Sequence, residues 1–97
     1  MGRIIRTAQA FEDVLEIWRY LAIDQKSPQN ADRMLERIEQ TLQFFSDRPQ
    51  IGIPMDHIRP GLRALTVSSY VLFIEPVEGG VRLLRVAHGS RKLEDLL

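Results

Sequence analysis

Two apolar stripes at helical spacing, followed by three short apolar segments at strand spacing, constrain this chain more than any other feature. Phe11, Val14, Leu15, Trp18, Leu21 and Ala22 recur at steps of three and four, and so do Ala31, Met34, Leu35, Ile38, Leu42 and Phe45. Such spacing puts each set on one face of a helix. Thr7 can cap the first helix, predicted over residues 8–24 and roughly 25 Å long at 1.5 Å per residue. Ser27 as N-cap with Pro28 at the first helical position starts the second, and Pro49 ends it. So few residues separate the stripes that the helices must form an antiparallel hairpin. Trp18 falls on the first stripe and reads as a core residue.

Beyond Pro49 the period changes. Residues 49–61 hold three prolines and two glycines and read as a connecting loop. Strands are predicted over residues 62–67, 70–76 and 81–88, with a further short one, Ile4-Ile5, before Thr7. Ser68-Ser69 and Gly79-Gly80 separate the later three; the glycine pair suits a type I′ hairpin, where both residues need positive φ. In the last strand Val81, Leu83, Arg85 and Ala87 should share one face, and Arg82, Leu84, Val86 and His88 the other. Residues 91–97 read as a last helical turn or a tail. The expectation is one α+β domain spanning 1–97, β-α-α-β-β-β, with the helical hairpin packed across one face of a small, mainly antiparallel sheet. Leu35, on that packed stripe, is expected to matter: Leu35→Ala should halve a net stability of about 5–10 kcal/mol.

Charge follows the same division. Formal net charge is zero, yet residues 10–47 carry eight acids against four bases, and residues 57–92 carry six Lys or Arg against two acids. Helices with acidic solvated faces beside an arginine-rimmed sheet would account for this; a dipolar molecule built for two partners is the sharper reading. Cysteine is absent, which excludes disulfides, thiolate metal sites and a cysteine nucleophile. Neither histidine has metal-ligand spacing, and no phosphate-binding loop, dinucleotide fingerprint or serine-hydrolase elbow is present, so no metal and no cofactor is implied. No basic leader with an apolar run opens the sequence and no stretch has membrane-spanning length, so a cytoplasmic location without membrane contact is expected.

Arg63, Arg85, His88 and Arg91, with Tyr70, make the one plausible polar cluster. Guanidinium groups can neutralise a phosphodiester, and a histidine or tyrosine can move a proton, which would suit metal-independent RNA cleavage. Set against this, Tyr70 fits a half-buried strand position, the arginines fit a solvated sheet edge, and no carboxylate is evidently placed to orient His88.

Several segments together carry a family resemblance. They are the run from Ala10-Phe11-Glu12-Asp13 to Trp18-Arg19-Tyr20-Leu21-Ala22, then Pro49-Gln50-Ile51-Gly52, Arg59-Pro60-Gly61-Leu62-Arg63, Tyr70-Val71-Leu72-Phe73 and His88-Gly89-Ser90-Arg91. In this order and spacing the chain resembles the ParE branch of the RelE/ParE toxins of type II toxin–antitoxin pairs. The resemblance implies the fold reached above, a ParD-like antitoxin whose C-terminal segment wraps the toxin, and DNA gyrase as target, poisoned by binding without bond chemistry or sequence-specific nucleic-acid recognition. Arg59, Arg63, Tyr70, Arg85, His88 and Arg91 are the expected antitoxin- or target-binding residues, with the arginines offering charge to an acidic antitoxin tail. Related ribosome-dependent mRNA endonucleases share the fold; on that alternative Arg63, Arg85, His88 and Arg91 would be catalytic, although no tyrosine follows Arg91. The chain departs from the family pattern at Ile53, where a basic residue is common, and at Ile74-Glu75, where a tyrosine and then a basic residue are common.

Overall fold

The computed structural model describes residues 2–91 and Leu96. Strand β1 (Arg3–Arg6) leads through Thr7 into helix α1 (Ala8–Arg19), which continues as one wide π turn (Tyr20–Asp24). Helix α2 (Pro28–Asp47) returns antiparallel, and β2 (Ile53–Pro54), β3 (Arg63–Val67), β4 (Tyr70–Val77) and β5 (Gly80–His88) follow. The five strands form one sheet in the order β1-β5-β4-β3-β2, antiparallel except for the parallel pair β1–β5. The expected loop therefore contributes a short edge strand, Ile53 pairing with Ala64.

Thr7 does two things. Its Oγ1 accepts the Ala10 N–H (3.0 Å), capping α1, and donates to the Leu84 carbonyl (2.8 Å), tying the helix start to β5. Ser27 occupies the cap position of α2, but its side chain makes no capping bond; only its carbonyl accepts the Ala31 N–H. The first helix does not run regularly to Asp24, as its periodicity predicts. Instead the Gln25 N–H reaches back five residues to the Tyr20 carbonyl (2.9 Å), and Lys26 adopts φ 54° to turn the chain into α2.

Ala10, Ile17, Ile38, Leu42 and Phe45 of the helices pack on Val67, Leu72, Ile74, Val81, Leu83 and Val86. The other face of the sheet is covered as well: Leu62, Ala64, Phe73, Leu84 and Ala87 lie under Met55, Ile58 and Leu96. Both stripes are only partly buried. Phe11 is 61% exposed, Leu35 and Trp18 are half-buried, and Trp18 closes the helix seam by donating Nε1–H to Asp32 (3.0 Å).

Two strand expectations are corrected. Val77 pairs with Gly80, so the last hairpin turns on Glu78-Gly79, and positive φ occurs at Gly79 (79°) but not at Gly80. Gly80 instead lets β1 approach: a Cβ there would lie 1.8 Å from the Arg3 carbonyl oxygen. The face alternation of the last strand also fails. Phe73 pairs with Arg85 and Ile74 with Leu83, leaving Leu84 as a bulge residue. After it the pattern shifts by one, so Val86 joins the helix-side core with Val81 and Leu83, while Leu84 and Ala87 join the other. The tail expectation falls, apart from Arg91 and Leu96, outside the described residues.

Candidate binding cleft

Past Leu83, β5 has no strand neighbour on its β1 side, and α1 lies beside it. A backbone N–H at such an edge needs an acceptor. Asp13 supplies it: Oδ2 accepts the Val86 N–H (3.0 Å) and the Arg85 Nε–H (2.7 Å), while Oδ1 accepts from Arg85 Nη2 (3.0 Å). The third arm of Arg85, Nη1, donates to the Leu96 carbonyl (3.1 Å). The hydrogen bond to Asp13, partly opposed by burial and reinforced by the charges of Asp13 and Glu16, pushes the Arg85 pKa above its ordinary value.

Asp13 and Arg85 line one side of a cleft of about 180 Å³ with Glu16, Tyr20, Tyr70, His88, Arg91 and Leu96. Tyr70 and His88 are register partners on β4 and β5, and their rings meet edge to face at 5.7 Å. Burial, then the neighbouring Tyr20, raises the pKa of the Tyr70 phenol above the ordinary 10.0, so it stays protonated at neutral pH. His88 Nδ1 lies 2.8 Å from Ser90 Oγ and accepts the Ser90 N–H (3.2 Å), which leaves Nε2 to carry the proton of the neutral ring. Arg91 sits exposed at the mouth and makes no ion pair among the described residues. The arrangement can hold an anion at Arg91 and move a proton at His88. Arg85 is already neutralised by Asp13.

The six residues singled out in the sequence thus fall in three places. Tyr70, Arg85, His88 and Arg91 share the cleft. Arg63 donates to the carbonyls of Gln50 and Gly52 (2.7 Å each) and to Gln50 Oε1 (3.0 Å). Arg59 lies 3.6 Å from Glu75, whose other oxygen takes Arg82 at 2.6 Å. Glu75, one of the departures from the family pattern, is thereby the anchor for two arginines. Sequence reasoning missed Asp13 and Tyr20 as cleft residues; both entered it only within the run of residues 10–22. It also missed an apolar groove of about 330 Å³ between the helices, lined by Phe11, Val14, Leu35, Ile38, Leu42 and Leu83 with Arg6, Glu36 and Glu39 at its rim. The stripe residues Phe11, Val14 and Leu35, which the sequence placed against the sheet, open onto this groove instead. Among the described residues no group of His, Asp or Glu is placed to hold a metal ion, and no helix is long and apolar enough to cross a membrane.

Two helices lie on a five-stranded mixed sheet, with a tyrosine–histidine cleft at one end. A solved structure, the chromosomal ParDE TA system from P. aeruginosa, superposes with a TM-score of 0.66 over 91% of this chain and 96% of that one, at 18% identity. The family described as the ParE toxin of the type II toxin–antitoxin system, parDE, matches residues 4–93. Toxin ParE1 of Mycobacterium tuberculosis is 32% identical over 88 residues, covering 90% of this chain and 89% of that toxin. Toxin ParE3 of Caulobacter vibrioides is 29% identical over 93 residues, covering 96% and 92%. The chain belongs to the ParE toxin family.

Proposed function

We propose that this toxin acts by binding DNA gyrase and trapping its cleaved DNA, performs no bond chemistry itself, and is neutralised by a ParD-like antitoxin. The Arg85–Asp13 pair carries the reading. A guanidinium that stabilises a phosphoryl transition state must be free to face it, whereas Arg85 has Nε and Nη2 on Asp13 and Nη1 on the Leu96 carbonyl. Tyr70, held protonated, is no general base at neutral pH. What remains is surface: the apolar groove between the helices suits large apolar residues of an antitoxin segment, with the cleft and the loop at Arg63 left for recognition.

The test is a supercoiling reaction with purified gyrase, relaxed plasmid, ATP and the toxin. Accumulation of linear DNA, relieved by antitoxin, is the expected result. His88 beside Tyr70, with Arg91 exposed at the mouth, favours one other reading, a ribosome-dependent endoribonuclease. On that reading Arg85→Ala with His88→Ala abolishes transcript cleavage on ribosomes while the protein still folds.

A further inference from the structure

The loop of residues 49–54 and the segment of residues 59–63 are far enough apart in sequence to look like separate motifs, yet one side chain joins them. Arg63 Nη1 donates to both the Gln50 and the Gly52 carbonyls at 2.7 Å, and Nη2 to Gln50 Oε1 at 3.0 Å. Charge-assisted bonds to two carbonyls and an amide use the fork geometry that distinguishes arginine from lysine. The backbone follows the clamp. Gly52 is buried, and a Cβ on it would lie 2.7 Å from the Phe45 ring and 3.0 Å from Arg63 Cβ, so no larger residue fits between them. On either side of Gly52, Ile51 and Ile53 stand exposed, 47% and 62%.

We infer that Arg63 is a positioning residue for the toxin's activity: it latches residues 50–53 into one fixed conformation, and its charge is used inside the chain rather than offered to a partner. This rests on the gyrase reading only for one arm of its test. A residue that met its partner as a point charge would be replaced by lysine, and the effect of losing it would fade at high salt. A latch works through the fork, and lysine, a single point of donation, cannot hold two carbonyls and an amide at once.

Two variants, Arg63→Lys and Arg63→Ala, separate the cases. In the free protein, amide hydrogen exchange across residues 49–55 should quicken at least tenfold in both, with α1 unchanged; exchange at the wild-type rate overturns the latch. In the gyrase assay both variants should need at least tenfold more protein than wild type, by the same factor at low and high salt. Wild-type potency in Arg63→Lys, or a loss that vanishes at high salt, overturns the positioning role in favour of a charge contact. Faster exchange with undiminished potency in both variants also overturns it. If wild type leaves gyrase untouched, the functional reading fails while the exchange result still decides the latch. Potency is then compared by growth arrest on induced expression, where a loss in both variants supports the positioning role and wild-type potency in Arg63→Lys overturns it.

Discussion

Asp13 is the residue on which the cleft depends. It satisfies a strand-edge N–H and neutralises a guanidinium at once, with both side chains of the pair mostly buried. Asp13→Ala leaves Arg85 Nε and Nη2 and the Val86 N–H without their acceptor and should cost about 3 kcal/mol, since breaking a buried pair on one side strands the other charge. Asp13→Asn keeps an acceptor and should cost about half as much. Urea midpoints measure both, and an unchanged midpoint for Asp13→Ala would contradict the assignment. Tyr70 gives a second, pH-dependent signature. Its folded pKa is raised above 10.0, so the stabilising effect is fully present below that value and is lost as pH rises through the folded pKa. Stability of Tyr70→Phe should therefore fall less steeply above pH 10 than that of wild type; parallel curves would refute the shift. The half-buried strand position of Tyr70 was legible in the sequence, but the role of Asp13 was not. Asp13 and Arg85 are 72 residues apart, and an acid near a helix start has a sufficient local explanation.

At the level of elements, what local rules govern was legible and what depends on distant pairing was not. The two helices, the three-stranded meander and the Thr7 cap follow from periodicity and capping chemistry. The bulge at Leu84 does not, because a one-residue slip changes no composition while moving every later side chain to the other face. The parallel docking of β1 on β5 likewise hides in a glycine that reads as a turn residue. Gly80→Ala should push β1 off the sheet at a cost of about 2–3 kcal/mol, as overpacking does. Thermal unfolding checks this, and tolerance of the alanine would mean that β1 docks otherwise. The helix stripes overstate burial because one stripe side faces the open groove. Leu35→Ala should cost only about 1 kcal/mol, whereas Leu42→Ala, fully buried, should cost about 3 kcal/mol. Equal losses would place Leu35 in the core after all.

For the molecule as a whole, the division into an acidic hairpin and a basic sheet survives in three dimensions, but the arginines are less available than their number suggests. Arg85 is paired with Asp13, Arg59 and Arg82 with Glu75, and Arg63 with its own loop. The apolar groove and the tyrosine–histidine cleft lie open, which suits the proposed action by docking. The gyrase cleavage reaction run with wild type and His88→Ala side by side tests this most directly. Linear DNA accumulating with both, His88→Ala at most needing more protein, is the predicted result, because docking needs no proton transfer at His88. No linear DNA with wild type, together with transcript cleavage on ribosomes that His88→Ala abolishes, would contradict it.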